Sequence, residues 1–482
     1  MNETSGDMSC IVVGASGHLA LRKVFPALFA LYCQGYLPKG FNLFGFARSK
    51  LNEAEFRDRI AEYLTCRYAP DESCARKMEE FLARCHYVRG EYASSDSFLD
   101  LFIKMREVEG GRPTNRFYYL AIPPSIFLDV AQSIGDAGLV SCGTNEPWSR
   151  VVIEKPFGRD RQSSDVLTEA MSKVFVERQI FRIDHYLGKE VIQNLLVLRF
   201  ANAVFQPLWN RDFIRNVRIL WKEDLGLEGR GGYFDQYGII RDVMQNHLLQ
   251  ILALIAMEPP ARLEAKNIAK GKVNVLRGVP PVSLDNLVIG QYTESVAGGR
   301  QQPAYLEDET IADSSITPTY AAARLSIDNP RWQGVPFLIE AGKGLDARMT
   351  EIRIQFREVP GNMFCQPEHC PEANELVVRV QPDEAIHLSI TGKVPGMGMT
   401  LQSTSLDMLY RSAFSQQIPD AYESLLLDAI RGDKSLFIRS DELQAAWDVF
   451  TPVLHEIEAR KLVPEPYPFG STGPAAAESL LS

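Results

Sequence analysis

A short apolar run, Cys10-Ile11-Val12-Val13, breaks at Gly14-Ala15-Ser16-Gly17 and resumes with apolar residues at Leu19, Val24, Leu28 and Leu31. The first stretch has the length of a buried strand, and the second has the spacing of one helix face. A glycine turn between them lets the backbone approach a ligand closely. The helix start then turns unpaired N–H groups and the positive end of its dipole to the same place. Strand, glycine turn and helix form the entry to a dinucleotide-binding unit, so the chain is expected to begin in an α/β sheet. A G-x-x-G alone is common in tight turns; its place at the head of a strand–helix–strand unit gives it weight.

The next strand candidate, Phe41–Phe46, ends in Ala47-Arg48-Ser49-Lys50. An NAD-binding unit commonly places an acid here to accept from the ribose hydroxyls, whereas a cation suits a 2′-phosphate. The expected cofactor is therefore NADP, read by Arg48. Residues 52–110 alternate charged and apolar positions at helical spacing and read as helices flanking the sheet. Two further strands, Arg116–Ile122 and Arg150–Ile153, end at Pro123-Pro124 and at Glu154-Lys155-Pro156. Ligands gather at the carboxyl ends of such strands, where Tyr119 and Lys155 fall.

The densest chemistry lies in Arg182-Ile183-Asp184-His185-Tyr186-Leu187-Gly188-Lys189-Glu190. In a helix, His185 and Lys189 share one face. With Tyr186 they would offer an imidazole, an ammonium and a hydroxyl to one small anion, most naturally a phosphate ester. Asp184 points elsewhere and is free to orient a second group. Further on come Lys222-Glu223, Glu228–Asp235 and Ile239–His247. With acids nearby and Asp184 upstream, His247 is the best base candidate among the seven histidines.

Strand patterns follow at Asn216–Glu223, Val273–Gly278, Leu287–Tyr292, Tyr320–Asp328, Val335–Ala341, Ile352–Glu358, Glu375–Pro382 and Ala385–Gly392. Helices at Val243–Ala256, Ala421–Ile430 and Asp441–Ala459, the last capped by Ser440, do not alternate regularly with them. The expected fold is an α/β Rossmann domain plus an α+β domain with a large, mainly antiparallel sheet. At 482 residues two domains are the sensible division, 1–180 and 181–482. The tail Gly470–Ala477 reads as linker that frays. A formal charge of -10 argues against nucleic acid or anionic membrane as partner, and no apolar run reaches membrane length. Met1–Ser5 does not look like a signal peptide, and the eight scattered cysteines favour reduced thiols, so a cytoplasmic protein is expected. Cys365, His369 and Cys370 offer three ligands without a partner pair at zinc spacing, so no metal is expected.

GASGHLALRK, EKPFGRD, RIDHYLGKE, EGRGGYFDQYGIIRDVMQNH, WQGVPFLIEAGK and RVQPDEA stand in this order between Ile11 and Pro474. They resemble the motifs of the glucose-6-phosphate dehydrogenase family. The resemblance implies a Rossmann domain joined to a β+α domain whose sheet assembles homodimers or homotetramers. It implies oxidation of glucose 6-phosphate at C1, with His247 as proton acceptor and Asp184 as its partner. Gly14, Ala15, Ser16 and Gly17 would hold the cofactor pyrophosphate, and Arg48 the 2′-phosphate. Tyr119 and Lys155 would line that site. His185, Tyr186 and Lys189 would take the sugar phosphate. Glu223, Asp242, Lys343, Arg348 and Gln381 would contact the sugar or its phosphate, with Lys23 and Lys155 near both ligands. His18 and Leu21 depart from the family pattern, beside the pyrophosphate. On the residues alone, another NADP sugar oxidoreductase of Rossmann plus open-sheet type also fits.

Overall fold

The computed structural model describes residues 6–68, 73–140, 147–297, 299–365 and 370–481. The first half folds into a sheet of parallel strands: β1 (Met8–Val13), β2 (Phe41–Ala47), β3 (Cys85–Arg89), β4 (Asn115–Leu120), β5 (Ser149–Ile153) and β6 (Ile180–Ile183). Their spatial order is 3-2-1-4-5-6, the doubly wound dinucleotide-binding order. The winding reverses between β1 and β4, so a crevice opens at the carboxyl ends of these two strands. β1 and β4 are buried along their whole length, and their later parts, Cys10–Val13 and Phe117–Leu120, read as apolar or aromatic runs. β3 lies inside the stretch read as helical. Only five residues long, between helices Ser73–Ala83 and Ser95–Glu109, it has too little alternation to break their pattern.

The second half builds a nine-stranded sheet. Its members are β7 (Ile214–Lys222), β8 (Leu287–Thr293), β11 (Tyr320–Leu325), β12 (Phe337–Gly342), β13 (Met349–Phe356), β14 (Glu375–Gln381), β15 (Ala385–Lys393), β16 (Leu401–Leu409) and β18 (Glu465–Pro468). The strands β9 (Ser295–Ala297) and β10 (Arg300–Gln302) form a separate hairpin. The order is 16-15-14-13-7-12-11-8-18, and six of the eight pairings are antiparallel. The expected fold class is the one observed.

Several boundaries differ from expectation. Val273–Gly278 is not a strand but the end of helix Ala265–Arg277, whose buried Ile268, Ala269, Lys272, Val273 and Leu276 follow the helical period. Ser440 is the first residue of helix Ser440–Arg460 rather than its cap. The tail does not fray: Ala475–Leu481 is helical, packs on β8 and β11, and buries Ala477. The expectation of reduced thiols fails twice, because Cys66 pairs with Cys74 and Cys365 with Cys370. Both pairs close short loops that bring their Cα atoms to 5.7 and 4.2 Å, a proximity that the scattered spacing hid. His369 lies outside the described residues.

Two late segments return to the first sheet. β17 (Phe437–Ile438) pairs antiparallel with β6. Helix Ala421–Arg431 buries Tyr422, Leu425, Leu426, Ala429 and Ile430 in the core that contains β1 and β2. Among the described residues no helix is long and apolar enough to cross a membrane.

Candidate active site

The turn after β1 is set by Gly14, whose φ is +86° and whose missing Cβ would stand 2.3 Å from the Ala121 carbonyl oxygen. Gly14 and Ala15 donate N–H bonds to the Phe46 carbonyl at 2.8 and 3.3 Å, and Gly17 donates to Gly14 at 2.9 Å. Ser16 Oγ lies 2.8 Å from Ser49 Oγ, which joins this turn to the end of β2. There Arg48 is exposed, its guanidinium 5.1 Å above the Tyr92 ring. The glycine turn, the helix start and an accessible cation on the neighbouring strand fit a dinucleotide bearing a 2′-phosphate.

The Arg182–Glu190 stretch is a strand end and a turn, not the helix that would align His185 with Lys189. β6 stops at Ile183, and Asp184 Oδ1 accepts the Tyr186 N–H at 2.9 Å. Leu187, Gly188 and Lys189 donate to the carbonyls of Asp184, His185 and Tyr186 at 3.0, 3.3 and 3.1 Å. An aspartate bonded to the backbone two residues on competes with helix formation. Helix Glu190–Phe200 begins only after this turn.

The turn still brings its side chains to one cavity of about 590 Å³. Lys155, His185, Tyr186, Glu223, Asp242, His247, Lys343, Arg348 and Gln381, all expected as site residues, line it. Lys189 reaches its edge, donating to Gln381 Oε1 at 3.3 Å. Lys23 pairs with Asp420 at 3.3 Å and sits 5.8 Å from the Tyr422 ring, which lines the same cavity. Lys155 donates to the carbonyl and Oδ1 of Asp242 at 2.6 and 2.9 Å, and Lys343 donates to Glu223 at 2.5 Å. Tyr119 is wholly buried behind the cavity wall, its hydroxyl donating to Glu154 at 2.5 Å.

His247 stands in a wide helical turn, Ile240–Leu248, with π-type hydrogen bonding, which leads into helix Leu249–Ala256. Such turns recur at functional sites. Its Nδ1 is 2.5 Å from Asp184 Oδ1, and both side chains are buried. Burial pushes the His247 imidazole below its ordinary range, against the pull of Asp184. Burial alone would raise the Asp184 carboxyl, but His247, His185 and the Tyr186 N–H together hold it low. The pair at neutral pH is a carboxylate and a neutral imidazole, with Nδ1–H donated to Asp184 and Nε2 without a hydrogen-bond partner among the described residues. Burial, and then the neighbouring His247, Lys155 and Lys189, push His185 well below its usual range. A corner holding Lys155, Lys189 and Arg348 favours an anion. Asp184, His185 and His247 bring potential metal-ligating atoms within 4.8 Å of one another, but Asp184 Oδ1 already bonds His247.

The cavity also contains Glu154, Trp221, Arg230, Tyr233 and Tyr422, which had no assigned role. Trp221 donates to the Tyr186 hydroxyl at 2.5 Å. The signal for four of them was their place inside or beside the motifs already singled out; Tyr422 sits far from any.

The N-terminal profile described as "Glucose-6-phosphate dehydrogenase, NAD binding domain" matches residues 11–194, and the C-terminal domain profile of the same enzyme matches 196–482. Glucose-6-phosphate 1-dehydrogenase 1, chloroplastic, of Arabidopsis thaliana is 55% identical over 98% of this chain and 82% of its own length. The chloroplastic enzyme of Nicotiana tabacum is 54% identical over 99% and 81%. A solved glucose-6-phosphate dehydrogenase in complex with its substrate glucose 6-phosphate has a TM-score of 0.91 at 42% identity, covering 99% of this chain and 97% of that one. The relatives' names correct the expectation of a cytoplasmic protein, since both are chloroplast enzymes. Acidic charge and cysteine spacing describe a surface and its thiols, and neither encodes a compartment. By sequence along its whole length and by fold, the chain belongs to the glucose-6-phosphate dehydrogenase family.

Proposed function

We propose that His247 is the base, and Asp184 its partner, in the oxidation of glucose 6-phosphate at C1 to 6-phospho-D-glucono-1,5-lactone. The hydride acceptor is NADP, and the reaction is the first step of the oxidative pentose phosphate pathway. The observation that carries the residue assignment is the buried 2.5 Å His247–Asp184 contact beside a cation-rich cavity.

Oxidising a hemiacetal at C1 requires loss of the O1 proton as hydride leaves carbon. When bound, the nicotinamide supplies the electron sink. His247 Nε2 takes the proton, and Asp184 stabilises the imidazolium that forms. His185, Tyr186 and Lys189 hold the sugar phosphate, with Arg348 and Gln381 beside them. Glu223, Asp242 and Lys343 face the sugar hydroxyls in two ion-paired sets, and Lys155 and Lys23 stand between the ligands. Gly14, Ala15, Ser16 and Gly17 cradle the pyrophosphate. Arg48 pairs with the 2′-phosphate, and Tyr119 supports the wall through Glu154. The division into residues 1–180 for cofactor and 181–482 for substrate and assembly belongs to the same reading. So does assembly into homodimers or homotetramers through the second sheet, supported by the exposed edge strand β16.

The test is reduced-nicotinamide absorbance with glucose 6-phosphate and NADP. His247→Asn is expected to leave glucose 6-phosphate affinity largely intact and to cut turnover by roughly 10²–10⁴. Asp184→Asn costs less, because it orients and stabilises rather than accepting the proton. Near-full turnover in His247→Asn refutes the assignment.

A further inference from the structure

His185 is held in an unusual way. Among the described residues neither of its ring nitrogens has a hydrogen-bond partner, and its backbone carbonyl alone accepts, from Gly188. Three rings fix the imidazole instead. His247 meets it edge-on at 4.7 Å, Tyr186 is tilted at 4.9 Å, and Tyr422 lies nearly parallel, 13° from its plane, at 6.4 Å. His247 and Tyr186 have other work in the reaction. Tyr422 has none, and it comes from a helix about 240 residues further along the chain, counting from the two residue numbers.

Tyr422 is in turn fixed from three sides. Its hydroxyl faces Glu154, the buried carboxylate at the end of β5 that accepts from Tyr119. Its backbone N–H donates to Asp420 Oδ1 at 2.9 Å. Its helix rides directly on the phosphate turn, because a Cβ at Gly188 would fall 2.5 Å from the Ala421 carbonyl oxygen. That glycine is therefore a close-approach position, and a side chain there would lift Tyr422 away from His185.

We propose that Tyr422 is a positioning residue for the substrate phosphate: its ring, set by the seat of its helix on the turn at Gly188, holds the His185 imidazole in the plane from which it meets the phosphate ester. This rests on the reading of His185 as a phosphate ligand. Tyr422 makes no proton transfer, so its contribution belongs to binding of the phosphate end and not to chemistry at C1.

The experiment is a double-mutant cycle on the full-length enzyme, with KM and kcat measured for glucose 6-phosphate and KM for NADP. Tyr422→Leu is expected to raise KM for glucose 6-phosphate about three- to tenfold, the usual effect of losing one aromatic contact, with kcat and the NADP KM little changed. Tyr422→Phe keeps the ring and should stay within about twofold of wild type. In a His185→Ala background, Tyr422→Leu should add nothing further. If the leucine variant does not fold, Tyr422→Met, similar in length and adaptable in shape, takes its place in the cycle. Additive losses in the double variant, or equal rises for both substrates, overturn the proposal. So does a normal KM in Tyr422→Leu alongside a raised one in His185→Ala. A normal KM in His185→Ala overturns the phosphate reading itself, and the stack with it, so the two failures are distinguishable.

Discussion

Two influences oppose each other on His247. Burial disfavours its charged form, and the Asp184 carboxylate favours it; burial prevails. On the proposed role of His247 as base, the acid limb of kcat/KM requires neutral His247 in the free enzyme, so activity is expected to fall as pH drops through the folded value, which lies below the ordinary 6.5 of the side chain. Removing the carboxylate removes an upward influence. Asp184→Asn is therefore expected to move the acid limb to still lower pH while lowering the plateau. A pH profile of kcat/KM for the two proteins settles it, and a limb that moves upward contradicts the arrangement. At this scale the sequence was informative where chemistry was concentrated. His247 stood out as a lone histidine among acids and apolar residues, and Asp184 as the acid of the densest motif. Glu154 and Tyr422 were silent, because a glutamate beside a lysine and a tyrosine in a helix have no signature until the chain is folded around them.

At the scale of elements, the first sheet was legible because its central strands are buried on both faces. Cys10–Val13 and Val151–Ile153 show this as unbroken apolar runs. β16 was not legible: Leu401–Leu409 carries Gln402, Ser403, Thr404 and Ser405 at exposed positions, so no alternation marks it as a strand. Val273–Gly278 failed for the opposite reason, since a short β-branched cluster hid a longer helical period. The Arg182–Glu190 turn failed as a helix because the Asp184 side chain captures the backbone N–H of Tyr186. The glycine turn after β1 is the element whose geometry leaves least room for change. Gly14→Ala would place a methyl against the Ala121 backbone at a positive φ. The expected outcome is a loss of about 2 kcal/mol or more in stability, with weakened NADP binding. Thermal unfolding with and without NADP measures both, and an unchanged midpoint in both conditions contradicts the packing described.

For the whole molecule, the second sheet ends in an open edge. β16 exposes Leu406 by 57% and Leu409 by 42%, and among the described residues one side of the strand has no neighbouring strand. Edge strands of this kind pair with other chains unless charge or proline blocks them. Leu406→Lys is expected to shift sedimentation from the assembled enzyme towards monomer. If the unmodified protein already sediments as a monomer, assembly through this sheet is wrong. The first sheet tells a different story at its own edge. β17 completes it by pairing Phe437 with Ile183 and Ile438 with Arg182, across more than half the chain. During synthesis on the ribosome, the cofactor-binding half therefore emerges with that border bare and with no helix Ala421–Arg431 to roof its core. It reaches its finished form only after Ile438 has been made. An order of events that closes the nucleotide fold last exposes it longest to chaperones, and it makes late-terminating nonsense alleles as damaging to the N-terminal half as to the C-terminal one.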